Sequence, residues 1–288
     1  MSRSLSFRVA LAGAVAAVAC ASGDDRPRSP ADSAALDVEL TATDYAFDSP
    51  DTLPAGWTTF RLVNRGRQPH MGQLVRVEGG VSVDDYLAAY EQAFRTAGPR
   101  PESGRRLGGP AVAVPYATTK ATLYLEPGQY LWICLFNVPD GIPHVVGHRM
   151  AEPFVVKPPS ADPARGVPTA DIDMQLTDYA FNVSSPLRPG RQVVRVRNSG
   201  TESHEVAVVK LLAGKSIEDV RAWARNPSES VPFDMRSGTA GITSLAPDTE
   251  GFFELDLAPG DYALFCLVTA RDGRSHVDHG MIRHIRVG

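Results

Sequence analysis

Across most of this chain apolar and polar residues alternate with a period of two. Val38-Glu39-Leu40-Thr41, Phe60-Arg61-Leu62-Val63, Leu123-Tyr124-Leu125, Val194-Arg195-Val196-Arg197 and Phe253-Glu254-Leu255-Asp256-Leu257 all do so, with Pro and Gly clusters between them. Such alternation puts every second side chain on one face and predicts the short strands of an antiparallel sandwich. Two segments break the pattern. Ser82 precedes a helical stretch from Val83 to Ala97, and Ser216 precedes one from Ile217 to Arg225. Asp85 and Asp219, each three residues after the serine, complete the N-cap pattern. Tyr86, Tyr90 and Phe94 on the first helix, and Val220 and Trp223 on the second, are expected to pack against the sandwich.

The pattern repeats at a period near 134 residues. Asp44-Tyr45-Ala46-Phe47 recurs as Asp178-Tyr179-Ala180-Phe181. Asn64-Arg65-Gly66 recurs as Asn198-Ser199-Gly200, with His70 and His204 six residues after their Asn. Pro127-Gly128-Gln129-Tyr130 recurs as Pro259-Gly260-Asp261-Tyr262, and Cys134 and Cys266 follow four residues after each Tyr. The repeat predicts two tandem domains, 36–157 and 170–288, joined by a Pro-rich linker over 158–169.

The N-terminus differs from the rest. Arg3 and Arg8 precede an apolar run from Val9 to Ala19, too short to span a bilayer and of the length of a signal-peptide core. Ala17-Val18-Ala19-Cys20 followed by a polar stretch resembles a bacterial lipoprotein signal. That resemblance implies a signal peptide over 1–20, lipidation at Cys20 and a flexible tether over 21–35. The protein is then expected outside the cytoplasm, periplasmic or at the cell surface, held to the membrane by its lipid alone. A net charge of −4, with no basic stripe interleaved with aromatics, argues against nucleic acid as a partner.

Without Cys20 two cysteines remain, at equivalent points of separate domains, where a disulfide between them is geometrically awkward. Along the strand from Tyr130 to Phe136 a period of two puts Tyr130, Trp132, Cys134 and Phe136 on one face; Tyr262, Leu264, Cys266 and Val268 share it in the second copy. A long loop then returns a histidine and a methionine: His144 and Met150, His276 and Met281. His148 and His279 in the same loops are alternative donors. The former pair is preferred because nine residues separate each from its Cys in both copies. Two imidazoles, a thiolate and a weak thioether form a donor set suited to copper, and metal binding would account for an unpaired thiol in an oxidising compartment.

The order strand, Asn-x-x-x-x-x-His, Pro-Gly-x-Tyr-x-x-x-Cys, loop, His, Met, strand resembles the blue-copper cupredoxins, twice over. The resemblance implies an all-β fold of two Greek-key sandwiches, each with one inserted helix. It also implies copper, one ion in each domain or in only one of them. The ligands it implies are His70, Cys134, His144 and Met150, then His204, Cys266, His276 and Met281. The loop between Cys and His is longer here than is usual in that family.

Multicopper enzymes of related build need extra histidines, often as His-x-His. None of the seven histidines here forms such a pair. There is no Gly-x-Ser-x-Gly and no Gly-rich phosphate loop. The expected function is therefore electron transfer with a redox partner protein, not catalysis. The alternatives are a metal-free binding or structural module and a periplasmic copper carrier.

Overall fold

A computed structural model of the chain describes residues 35–137, 141–159, 166–226, 230–235 and 239–288. The signal peptide, Cys20, nearly all of the tether and the middle of the linker lie outside the described residues.

The alternating segments form strands. In the first half these are β1 (Leu36–Thr43), β2 (Ala46–Asp48), β3 (Thr52–Pro54), β4 (Gly56–Asn64), β5 (Gln73–Val77), β6 (Gly104–Arg106), β7 (Thr118–Leu125), β8 (Gly128–Ile133) and β9 (Ala151–Lys157). In the second half they are β10 (Ile172–Thr177), β11 (Ala180–Val183), β12 (Gly190–Asn198), β13 (His204–Lys210), β14 (Ala240–Leu245), β15 (Glu250–Leu257), β16 (Gly260–Phe265) and β17 (Ile282–Val287). Helix α1 (Val83–Arg95) follows β5 and α3 (Ile217–Arg225) follows β13, while a single turn, α2 (His144–Gly147), lies in the loop after β8.

Each half is a two-layer sandwich. One layer of the first half is β2-β1-β4-β7 and the other is β3-β9-β8-β5-β6. The second half repeats this as β11-β10-β12-β15 and β14-β13-β16-β17. In both copies the first strand runs parallel to the long strand beside it, Leu40 opposite Leu62 and Leu176 opposite Asn198. The cores lie between the layers: Leu40, Phe60, Leu62, Leu123 and Trp132 in one half and Val194, Val196, Leu255 and Leu264 in the other are all buried.

The helices cover the outer face of the ligand-bearing layer. Tyr86 and Tyr90 of α1 pack with Val75, Val77, Leu131 and Ile133. Val220 of α3 packs with Val209, Ala263 and Phe265, and Trp223 joins that cluster. Both caps form as expected. Ser82 Oγ accepts from the Asp85 amide at 3.1 Å, and Ser216 and Asp219 make a full capping box. Two expectations need correction. Helix α1 ends at Arg95, because Ala97 takes a left-handed φ of 48° ahead of Gly98 and Pro99. Phe94 is 41% exposed: it lies one turn past Tyr90, beyond the side chains that bury the other two.

The halves are fused sheet to sheet. Strand β7 pairs antiparallel with its own counterpart β15, Thr122 opposite Phe252, which makes one eight-stranded sheet of both inner layers. The other layers meet through the bridges Leu107 to Leu245 and Pro110 to Ile242. Buried Gln73 donates to the Ser244 carbonyl at 3.0 Å, and Thr243 donates through its amide to Gly109 and through Oγ1 to Gly72. Gly109 has φ 147°, and a side chain there would collide with the carbonyl oxygen of Gly72, so glycine allows this close approach.

Candidate metal centres

In each half, three segments far apart in sequence deliver donors to one point. β4 ends at Asn64, whose buried side chain organises the turn that follows: Nδ2 donates to the Gln68 and Ala113 carbonyls at 2.7 and 2.8 Å, and Oδ1 accepts from the Gly66 amide. Asn198 repeats all three bonds with Glu202, Leu245 and Gly200. His70 and His204 emerge from these turns fully buried. Removing the anchor by Asn198→Ala takes away three hydrogen bonds and strands buried carbonyls; about 2–3 kcal/mol of stability should go, read by urea unfolding.

Cys134 and Cys266 sit just past the ends of β8 and β16, both free and fully buried. Each loop folds back on its strand. The Cys134 amide donates to the Met150 carbonyl, and the Met150 amide to the His144 carbonyl; Cys266, Met281 and His276 repeat both bonds. In the first centre Cys134 Sγ lies 3.5 Å from His144 Nδ1 and 3.8 Å from His70 Nδ1, and the two Nδ1 atoms are 3.2 Å apart. In the second, Cys266 Sγ is 3.3 Å from His276 Nδ1, which is 3.0 Å from His204 Nδ1. Each trio's donors fall within 4.8 Å of one another. The chain is a cupredoxin-like protein of two domains.

Of the loop histidines, the cupredoxin-like centres bring the preferred pair, His144 and His276, into the trios. His148 and His279 stand outside both trios, stacked on Tyr45 and Tyr179 with ring centroids 3.5 and 4.3 Å apart. The methionines are fully buried beside the trios, at the places their backbone bonds to His and Cys dictate. The Asp-Tyr-Ala-Phe repeat, to which sequence reading gave no role, belongs to the centres. Asp178 Oδ1 accepts from His204 Nε2 at 2.9 Å, and Asp44 lies 3.8 Å from His70 Nε2. Tyr45 and Tyr179, at φ 70° and 69°, are edge-on to His144 and His276. A left-handed tyrosine is uncommon, and it recurs in both copies, each ring meeting one trio histidine edge-on and one further loop histidine face to face. Recurrence of the motif was the signal that could have found it. Gly66 and Gly200 are explained here too, since a Cβ at either would press on the aspartate carboxylate.

Burial sets the charge state. It pushes the Cys134 thiol up to about 11, against the opposing pull of amide hydrogen bonds from Met71 and Phe136. Burial, then Glu205, pushes Cys266 well above its ordinary value. Burial lowers His70 and His276, and burial with His70 and His148 nearby takes His144 down to about 4. At neutral pH the first trio without metal is therefore a thiol and two neutral imidazoles, and a metal ion must displace the thiol proton. The sign of the acid response follows. Unfolded histidine binds a proton near 6.5 and these folded ones do not, so stability of the metal-free protein is present above pH 6.5 and lost as pH falls toward 4. Urea midpoints should be lower at pH 5 than at pH 7.

The donors fit a first-row metal ion. Bonds of about 2.0–2.1 Å to nitrogen and about 2.3 Å to sulfur, meeting at roughly 110–120°, place donor atoms about 3.3–3.8 Å apart; the sulfur–nitrogen separations of 3.5, 3.8 and 3.3 Å match this, and the nitrogen–nitrogen ones, 3.2 and 3.0 Å, are slightly shorter. Structural zinc takes four firm donors. Each group here has three from His, Cys and carboxylates among the described residues, with only a thioether to add. Two histidines and a cysteine with a weak axial methionine make the donor set of electron-transfer copper.

No protein-family model matches the chain, and no curated protein matches it. Among solved structures it is similar to auracyanin A, a blue copper protein from the green thermophilic photosynthetic bacterium Chloroflexus aurantiacus, with 26% identity over 42% of this chain and 98% of that one (TM-score 0.30). It is similar to reduced auracyanin from Roseiflexus castenholzii, with 24% identity over 43% and 99% (TM-score 0.31). A blue copper oxidase from Nitrosomonas europaea shares 16% identity over 88% and 85% (TM-score 0.25). What makes the two domains cupredoxin-like is their own strand order and donor geometry.

Proposed function

We propose that this chain is an exported copper-binding electron-transfer protein with one mononuclear centre of one cysteine and two histidines per domain, and with Met150 and Met281 as weak fourth donors. The observation that carries it is the convergence of one Sγ and two Nδ1 atoms in each half, on segments that nothing but the fold brings together. Bound copper would supply a one-electron couple. The protein's part is rigidity and dryness. Donors that are at most 1% exposed, on backbone bonded to neighbouring strands, have little freedom to rearrange between oxidation states and shut out water. The same burial argues against a copper carrier, whose ligands must be reached by an exchanging partner. The other histidines are engaged elsewhere: His148 and His279 on tyrosines, His284 with Asp261. This supports a carrier of electrons over an oxidase with a further copper site.

The proposal keeps the domain limits 36–157 and 170–288, a linker over 158–169 and a lipid anchor at Cys20 that would hold the protein at a periplasmic or cell-surface membrane, where a redox partner protein meets it. No helix among the described residues is long and apolar enough to cross a membrane. Copper-loaded protein should pass through repeated cycles of ascorbate and ferricyanide, losing and regaining its thiolate-to-copper absorption with the metal retained. Copper released at the first reduction would contradict electron transfer and favour the carrier.

A further inference from the structure

The two centres share their donors but not what lies behind them. Gln68 and Glu202 occupy the same place: both follow the anchoring Asn by four residues, and both give it their carbonyl as acceptor. The side chains differ in kind. Glu202 Oε2 is bonded to Nε2 of His276 at 3.2 Å, and Glu202 is only 13% exposed. His204 Nε2 is bonded to Asp178 at 2.9 Å. Both imidazoles of the second centre thus carry a carboxylate on the nitrogen opposite the donor. In the first centre His70 Nε2 stays 3.8 Å from Asp44 without a hydrogen bond, and His144 has no carboxylate partner among the described residues.

A carboxylate that accepts the remote N–H makes the imidazole a stronger donor and adds negative charge a few ångströms from the metal. Both effects favour the more highly charged Cu(II) over Cu(I). One further difference acts in the same direction: Glu205 stands where the first domain has Met71, and its carboxylate accepts the amide of Leu267, the residue after Cys266, at 2.9 Å. Each sulfur receives two backbone amides, from Met71 and Phe136 in one case and from Glu205 and Val268 in the other. Arg271, the cation nearest Glu202, stands 4.0 Å away and is 79% exposed, so water screens it.

Resting on the copper reading above, we propose that Glu202 and Asp178 make the His204–Cys266–His276 centre the lower-potential one, so that a single electron given to the protein settles on the His70–Cys134–His144 centre. Glu202 is a positioning and tuning residue that acts through His276. The pair of domains is then a directional unit, oxidised last at the first centre and reduced last at the second.

The test is stepwise reduction of copper-loaded protein followed by electron paramagnetic resonance, with Cys266→Ser and Cys134→Ser proteins giving reference spectra of each centre alone. After one electron equivalent, the surviving Cu(II) signal should be that of the second centre. Glu202→Gln, which installs the first domain's residue, should shift the second centre's Cu(II)-to-Cu(I) ratio at least tenfold toward Cu(I), about 59 mV for a one-electron couple. Gln68→Glu should move the first centre the opposite way, and it keeps the test alive should the Glu202 variant fail to fold. Asp256→Asn, an equal charge change at an exposed position of β15, should move neither. Equal or inverted potentials, or a second centre unmoved by Glu202→Gln with a first centre unmoved by Gln68→Glu, overturn the inference while leaving copper binding intact. A protein that takes up no copper overturns the reading beneath it instead.

Discussion

Cys134→Ser should abolish the thiolate-to-copper absorption of the first centre and leave that of the second, Cys266→Ser should do the reverse, and the double variant should be colourless. The sulfur is the one soft anionic donor in each trio. A serine hydroxyl does not ionise at neutral pH, and as a neutral oxygen it cannot replace a thiolate for copper in either oxidation state. The fold should survive. The change is close to isosteric and exchanges a buried S–H for a hydroxyl that meets the same backbone amides, at a cost of about 1–3 kcal/mol or less. Copper per chain should fall from two to one in each single variant and to none in the double. Circular dichroism separates this from unfolding.

The largest stability effect is expected at Trp132. It is fully buried on β8, with Phe60 edge-on at 4.7 Å and Phe154 stacked at 6.1 Å, and it closes the core directly above Cys134. Trp132→Ala removes an indole from a close-packed interior and should cost about 3–5 kcal/mol. Trp132→Phe should cost much less, because it keeps most of the volume and also removes the buried Nε1, which has no hydrogen-bond partner. Urea unfolding of the metal-free proteins measures both. A Trp132→Phe protein as unstable as Trp132→Ala would mean that the indole is held by something other than packing.

Strands such as β1, β4 and β15 were legible because one face meets water and the other meets the core, which writes a period of two into the sequence. The ligand strands β8 and β16 are buried on both faces, with helices outside, so Leu131 and Ile133 carry no alternation. There the cysteine and the repeat showed which side chains share a face. The trios themselves were legible, since soft and imidazole donors recurred in the same order in both copies. Spacing alone favoured one of the two loop histidines; in three dimensions His144 and His276 join the trios and their neighbours stack on tyrosines. The fusion of the halves through β7 and β15 left no mark in the pattern, because an edge strand that pairs and one that stays free alternate alike. The exchange of Gln68 for Glu202 was visible as letters, but its meaning depends on a carboxylate reaching an imidazole nitrogen.

X-ray absorption at the copper edge of the fully loaded protein tests the central claim most directly, because it counts the donors around the metal. The account predicts two copper ions per chain and an average shell of one short sulfur and two imidazole nitrogens. A shell of oxygen and nitrogen alone, with both thiols still free to react, would contradict it.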